Sequence, residues 1–294
     1  MVNHISNSNG DSIMDGSKTI AIIIIVALIL SIGIVGVNSY FIKSNEKQGT
    51  TSSIILLPEN LENATFFDNE ATNKTELNFV LNDSTQVQPV INMNIHQKVG
   101  SVNVIFADTD NIYNITSSNY NNSSTTVHYK QNNDSLDVDV SSNSAANTVV
   151  LSNKYIYNIN GDVLCGGFAT NFTPQSQVRQ LNANVTLGGV TLQLNNNKIQ
   201  DMDIHITVGG LDVRGSPSGY THLESEIKVG GLNFQQNNGK LYVRSSIELG
   251  GNNPGNYHQE SIKGWDNFMG DAYQQSEDKL DATSHIQIGG LNIA

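Results

Sequence analysis

The C-terminal two thirds of the chain alternate apolar and polar residues with a period of two. In the segment VTLGGVTL (185–192), valine and leucine alternate with threonine on both sides of a glycine pair. The segment ITVGGLDV (206–213) repeats this arrangement with isoleucine, valine and leucine. Successive side chains of a strand point to opposite faces, so the alternation predicts β-strands that bury one face.

The same frame returns at nearly even intervals. The further copies are VLCGGFAT (163–170), IKVGGLNF (227–234), IELGG (247–251) and IQIGGLNI (286–293). The first glycines of successive pairs are 22, 21, 21, 20 and 39 residues apart, and the last interval is close to two periods. Such a period is typical of stacked repeats. We therefore predict an all-β, solenoid-like stack of Gly-Gly rungs of about 20 residues. A sandwich or barrel of recurrent hairpins is the alternative, and the even spacing disfavours it.

The glycines mark a corner within each rung. Strict alternation would place the apolar residues on either side of a pair on opposite faces, so the chain must bend or bulge there. We expect an inward column immediately before the pairs, formed by Cys165, Leu187, Val208, Val229, Leu249 and Ile288. A second inward column lies two residues earlier, at Val163, Val185, Ile206, Ile227, Ile247 and Ile286. The residues between these two columns should face solvent. They are Thr186, Thr207, Lys228, Glu248 and Gln287.

Two irregular stretches belong to the same predicted β domain, which spans 90–294. The segment QKVGSVNVIF (97–106) has Gly100-Ser101 in place of the pair, 66 residues before Gly166. It therefore looks like a degenerate copy. The excursion 252–284 lacks the glycine frame and contains the single tryptophan, Trp265. Its aromatic residues either close the end of the stack or form a contact patch for a partner.

An apolar run without charged residues precedes this domain. Residues 19–37 (TIAIIIIVALILSIGIVGV) are long enough to cross the ~30 Å hydrocarbon core of a membrane as one helix. A cleaved signal peptide is the alternative, but its apolar region would be shorter and its N-terminal flank basic. We expect a disordered tail over 1–18, a transmembrane helix over 19–37, and a stalk with irregular sequence over 38–89.

Two signals for the orientation of this span disagree. Lys43 and Lys47 follow the span and only Lys18 precedes it, which mildly favours a cytoplasmic C-terminal domain. N-x-S/T sequons, all beyond the span, favour the outside of the cell. They begin at Asn63, Asn73, Asn82, Asn114, Asn121, Asn122, Asn133, Asn171 and Asn184. We expect a single-pass protein of the cell membrane with an extracellular C-terminal domain.

Composition narrows the possible partners. The net charge is −12, and no cluster of lysine or arginine is present, so nucleic-acid binding is not expected. The single cysteine, Cys165, excludes a disulfide within the chain, and its place in an apolar column predicts a small buried side chain. The abundant asparagines suit the turns of a stack.

Catalytic and metal-binding signatures are not evident. The histidines are scattered, with His205 and His285 at outward positions of rungs. Acidic pairs occur at Asp108/Asp110, Asp137/Asp139 and Asp201/Asp203, where calcium is possible but solvated faces are commoner. We therefore predict no catalytic, cofactor-binding or metal-binding residues and no cofactor. A carbohydrate-active β-helix enzyme remains the alternative, and it would need convergent carboxylates in a groove.

The opening strand GSVNVIF (100–106), the strands NIYNITSS (111–118) and SLDVDV (135–140), and the glycine rungs after them resemble the toastrack family. This family contains adhesin-like β-repeat domains of envelope-stress membrane proteins. The resemblance implies a toastrack-like fold over 90–294 and a membrane-tethered scaffold or adhesin-like interaction protein of a microbial envelope, not an enzyme. It implies envelope proteins or wall polymers as partners. An envelope-stress scaffold that faces the cytoplasm is a further alternative.

Overall fold

The computed structural model describes residues 74–79, 89–120, 123–132, 135–235 and 237–294, where all regular secondary structure is β-strand. The strands are β1 (Lys74–Phe79), β2 (Val90–Ala107), β3 (Tyr113–Asn119), β4 (Thr125–Gln131), β5 (Ser135–Ser152), β6 (Ile156–Asn171), β7 (Gln177–Asn195), β8 (Lys198–Ser216), β9 (Tyr220–Gln235), β10 (Leu241–Asn253), β11 (His258–Ile262), β12 (Trp265–Met269) and β13 (Lys279–Ile293). In these ranges no helix has the length and apolar character needed to cross a membrane. The predicted tail (1–18), transmembrane helix (19–37) and most of the predicted stalk lie outside the described residues and stay predictions.

Eight strands form a parallel stack in the order β5-β2-β6-β7-β8-β9-β13-β10. Their glycine pairs are in register, as in the alignment of Gly166 with Gly188 and of Gly188 with Gly209. Gly100 aligns with Gly166 in the same column, so the degenerate copy is confirmed. The column of stacked glycines is the feature that the sequence spacing predicts.

The first glycine of each pair lies where the backbones of neighbouring strands touch. Its φ is between +121° and +151° in all seven glycine-bearing rungs. A Cβ added to Gly209 would lie 1.4 Å from the carbonyl oxygen of Gly188 in the preceding strand of the stack. In β5 the paired position is Ala145, and no parallel strand precedes β5 in the stack. Glycine is therefore required at each step where a preceding parallel strand exists.

Each rung bends at an unpaired residue two positions before the first glycine, and we call this residue the bulge, although the register is the same on both sides of it. The pairing of β6 with β7 passes from Val163–Val185 directly to Cys165–Leu187 and omits the residue between them. We call the strand before the bulge the leading arm and the strand after the glycines the trailing arm. Their buried faces pack on each other, since a Cβ added to Gly161 would lie 2.3 Å from the ring of Phe168. One hydrophobic core lies between the two arms.

The burial of the side chains confirms two of the three predicted columns and contradicts the third. The inner column, defined as the third residue before each first glycine, is buried at Val163, Val185, Ile206, Ile227 and Ile286, and Ile247 packs partly buried against the core. The residues immediately before the glycines were expected to point inward, and this is wrong. Leu187 is 46 % exposed, Leu249 is 63 % exposed, and Cys165 is exposed. The residue at the bulge faces solvent, as predicted for Thr186, Thr207, Lys228, Glu248 and Gln287.

The spatial order of the rungs departs from the order along the chain. The last rung, β13, inserts between β9 and β10, which are consecutive in sequence. β5 forms a rung beside β2 without any glycine, because Ala145 and Ala146 align with Gly100 and Ser101. The 66-residue interval between Gly100 and Gly166 contains the rung β5, but β5 lies on the other side of β2, so β2 and β6 are direct neighbours in the stack.

Antiparallel strands close both ends of the stack. At one end β4 covers the leading arm of β5 and β3 covers the trailing arm, with β1 beyond β3. β1 adds a strand within the segment 38–89. At the other end β12 pairs with β10, and β11 pairs with β12. The excursion 252–284 supplies this second closure, and Phe268 within it is fully buried.

Candidate functional site

The parallel register places equivalent outward residues of successive rungs side by side. On the leading arm, outward columns lie four, six and eight residues before the first glycine, as shown by the pairing of Asn160 with Asn182 and of Asp162 with Asn184. Eight strands at a spacing of about 4.8 Å make each column about 34 Å long. The outer face is therefore a regular array of polar side chains.

An amide ladder runs along the column six residues before the glycines. Asn94 donates to Asp139 at 2.8 Å, Asn160 donates to Asn94 at 2.8 Å, and Asn182 donates to Asn160 at 2.7 Å. A second ladder on the trailing arm joins Asp212, Asn233, Asn292 and Asn253 by bonds of 2.7–2.8 Å. Turns were the expected place for asparagine, yet among the asparagines of the described ranges only Asn196 and Asn238 have positive φ. Many asparagines instead bond rung to rung.

Histidines and carboxylates share the column four residues before the glycines. His96 lies 3.0 Å from Asp162, and His205 lies 3.4 Å from Glu226 and 3.1 Å from Asp203 in the neighbouring column. His285 lies 3.3 Å from Glu248. The outward positions predicted for His205 and His285 are confirmed. Because these side chains are half-exposed, each pair contributes little to stability.

An apolar ridge follows the corner. We define the corner ridge as the residues immediately before the first glycines: Val99, Cys165, Leu187, Val208, Val229, Ile288 and Leu249. Val99 is 48 % exposed, similar to Leu187, and Leu164 at the adjoining bulge position is 53 % exposed. The side chains of Val208, Val229 and Ile288 are partly exposed. A row of exposed and partly exposed apolar side chains is typical of an interaction surface.

A groove of about 570 Å³ lies on the outer face beside this ridge. It follows the bulge across β5, β2, β6 and β7, between the column four residues before the glycines and the bulge column. Its walls carry mainly hydroxyl, amide and ion-paired side chains. They are Ser124, Thr126, Ser141, Asn143, His96, Lys98, Asp162, Leu164, Asn184 and Thr186, with Gln97, Ser142 and Val163 at the floor.

Aromatic residues of the excursion pack on the closed end of the stack. The Arg244 guanidinium lies 4.5 Å from the ring centroid of Trp265. The rings of Tyr242 and Tyr273 are 5.6 Å apart, and Tyr273 donates to Asp281. Burial, and then the negative charge of Asp281, raises the pKa of Tyr273 to about 12. Through these contacts the aromatic residues of the excursion pack against the last rung and close the end of the stack.

The acidic pairs occupy different environments. Asp137 and Asp139 lie outward on β5 and accept hydrogen bonds from Asn92 and Asn94. Asp110 follows β2 and pairs with Lys154, which holds the pKa of that carboxyl below its usual value. Among the described residues, no group of three or more His, Cys, Asp or Glu side chains is placed to hold a metal ion.

Neither the ladders nor the groove was predicted from the sequence. Aligning the copies on their first glycines would have placed Asn94, Asn160 and Asn182 in one column, so a signal for the ladder was present. The groove had no such signal, because two of its walls come from β4 and β5, which lack the glycine frame.

No known protein family matches the chain, and no curated protein matches it. Two solved structures are similar to it. A candidate cell adhesion protein from Clostridium sporogenes is 13 % identical with a TM-score of 0.49, over 75 % of this chain and 98 % of that one. A candidate adhesin from Bacteroides fragilis is 8 % identical with a TM-score of 0.28, over 76 % of this chain and 98 % of that one.

Proposed function

We propose that this chain is a membrane-anchored scaffold of a microbial envelope that binds envelope proteins or wall polymers through the outer face of its β-stack. The observation that carries this proposal is the exact register of eight rungs. It repeats the same outward positions over about 34 Å and lines a continuous corner ridge beside them. An extended surface of repeated contacts suits binding to a large or repetitive partner.

Binding is better supported than catalysis. Glycoside hydrolysis needs two carboxyl groups about 5–10 Å apart on either side of the scissile bond. Among the residues that line the groove, Asp162 alone carries a carboxylate, and it is paired with His96 at 3.0 Å. A carbohydrate-active enzyme would lack its second carboxylate there.

The location of the domain is tested by labelling single cysteines on intact cells. Cys165 is exposed, so it is first replaced by serine to remove a competing thiol. In that background, Ser52→Cys should react with a membrane-impermeant maleimide on intact cells, and Ser6→Cys only after lysis. The reverse pattern would place the β-stack in the cytoplasm and favour an intracellular scaffold.

Binding through the outer face is tested on cells that display the full chain. Capture of fluorescently labelled envelope fragments is measured by flow cytometry. The double variant Leu187→Asp/Leu249→Asp puts charge on the corner ridge at two exposed residues and should abolish capture. The control Thr207→Asp adds charge at the exposed bulge position and should retain it. Equal capture by all three proteins would contradict a role for the ridge.

A further inference from the structure

We propose that the groove beside the corner ridge binds a neutral oligosaccharide. This inference deepens the proposed function and rests on it for the location of the site at the cell surface. The groove volume of about 570 Å³ lies within the usual range of ligand sites, about 300–1,000 Å³. Its course across β4, β5, β2, β6 and β7 spans four strand spacings, or about 19 Å, which accommodates a short linear chain.

The chemistry of the walls matches a ligand with many hydroxyl groups. Ser124, Thr126, Ser141 and Thr186 both donate and accept hydrogen bonds, as do the amides of Asn143 and Asn184. Leu164, which is 53 % exposed, offers an apolar surface to the C–H face of a sugar ring. Lys98 and Asp162 carry opposite charges, which offset each other in the groove. These groups recognise a polar but uncharged ligand.

Other polymers fit less well. The net charge of −12 repels polyanions such as nucleic acid or acidic glycans. Peptides are usually bound by strand addition at a sheet edge, by an apolar groove for a helix, or by an aromatic-lined groove for polyproline. This groove lies on the face of the sheet, most of its lining residues are polar or charged types, and none of them is phenylalanine, tyrosine or tryptophan. A neutral glycan is therefore the occupant that the lining favours.

The floor of the groove is held by a buried polar network. Gln97 occupies the inner column of β2, between Ser142 of β5 and Val163 of β6, and is 2 % exposed. It accepts a hydrogen bond from Asn147 at 2.5 Å and donates to the carbonyl of Ala145 at 3.2 Å. Asn147 also donates to Ser142 at 2.9 Å. A satisfied network beneath the groove fixes the positions of Ser141 and Asn143 on β5, and a preformed site loses less entropy on binding.

The test uses titration calorimetry on the purified full chain with three uncharged tetrasaccharides, which are tetra-N-acetylchitotetraose, mannotetraose and maltotetraose. At least one should bind with a Kd of about 1 mM or tighter. The double variant Asn184→Ala/Thr186→Ala removes two wall residues of β7 and should weaken binding about tenfold or more. The control His205→Ala/Thr207→Ala changes the same two positions on β8, outside the groove lining, and should bind as the unchanged chain does.

Two results would overturn the proposal. One is that none of the three sugars binds, and the other is that both double variants lose affinity equally. Melting temperatures of the variants, expected within a few degrees of the parent, establish that any loss is not unfolding. An unfolded casein chain is titrated in parallel, and its competition for the groove in place of a sugar would assign the site to peptides. If the sugars fail while envelope capture by the ridge persists, the groove proposal alone is wrong.

Discussion

The inner column and the corner ridge are both largely aliphatic but lie in different environments. Val185 and Leu187 lie two residues apart in β7, yet Val185 is 2 % exposed and Leu187 is 46 % exposed. The same contrast recurs in β6, where Val163 is buried and Cys165 is exposed. Two largely aliphatic columns therefore have different roles, one in the core and one on the surface.

The bulge causes this difference. In a regular strand, residues two apart point to the same face. Here the intervening residue is unpaired in both neighbouring strands and the chain bends at it, so the residue after it turns to the outside. The bend also brings the trailing arm back over the leading arm and closes the core. Exposure of the ridge is a consequence of building the corner, and it supplies an apolar line that a partner can use.

Charge substitutions in the two columns should show the largest difference. Val185→Asp places an unpaired carboxylate in the core and should lower the free energy of unfolding by about 4 kcal/mol or more, or prevent folding. Leu187→Asp should cost less than about 1 kcal/mol, because its side chain meets water. Thermal unfolding followed by circular dichroism measures both.

The same comparison of stability can be made in β8 with the variants Ile206→Asp and Val208→Asp. Ile206 is 2 % exposed, whereas Val208 lies on the corner ridge and is partly exposed. The loss of stability should therefore fall on Ile206→Asp. Equal melting temperatures within either pair would mean that the bulge does not reverse the facing of the ridge.

The glycine column should show the next largest effect. Gly166→Ala would place a Cβ 1.5 Å from the carbonyl oxygen of Gly100 at a φ of +141°, so the strands must separate. We expect a loss of about 3 kcal/mol or more. Gly167→Ala is the control, because its added Cβ would meet the Gly189 oxygen at 3.8 Å, an ordinary contact.

Chemical denaturation of the two alanine variants measures this difference. Gly167→Ala should unfold within about 1 kcal/mol of the parent chain. If Gly166→Ala is as stable as Gly167→Ala, the first glycines are not in close contact along the stack, and the corner has another cause.

The sequence period was sufficient to predict the stack and its glycine column. Every first glycine from Gly100 to Gly289 lies in the expected column, because close backbone approach at a corner tolerates no side chain. The buried residues three positions before the glycines also follow from alternation within the leading arm. Strong steric rules of this kind leave a clear trace in a sequence.

Three features left no comparable trace. The facing of Leu187 and Leu249 depends on which residue forms the bulge, and any residue type can do so, from Leu164 to Glu248. The insertion of β13 between β9 and β10 could not be predicted, because the aliphatic columns of the rungs are interchangeable and do not specify the neighbour of each rung. The rung formed by β5 has alanine where the others have glycine, since no parallel strand precedes it. Each is decided by tertiary pairing and not by local propensity.

The amide ladder stabilises the outside of the same leading arm and should have a smaller effect. Asn160→Ala removes one donated and one accepted hydrogen bond in a partly exposed row, at an expected cost of about 1 kcal/mol. Thr186→Ala, an exposed change at the bulge, should cost about 0.5 kcal/mol or less. A double-mutant cycle of Asn160→Ala with Asn182→Ala should show a coupling of about 0.5 kcal/mol or more. Strict additivity would mean that the ladder does not act as a unit.

The smallest expected effect on stability is that of replacing the native thiol. Cys165 lies on the corner ridge and is exposed, so it should react with a soluble maleimide in the folded protein about as fast as in the denatured chain. In a Cys165→Ser background, Val163→Cys places the thiol in the inner column, where the parent side chain is 2 % exposed. That thiol should react only when the stack opens, so its rate reports the free energy of opening. Cys165→Ser should leave the stability within about 0.5 kcal/mol of the parent. Slow labelling of Cys165 under native conditions would place the ridge in the core, as the alternation alone suggests, and the bulge would then not explain the surface of this protein.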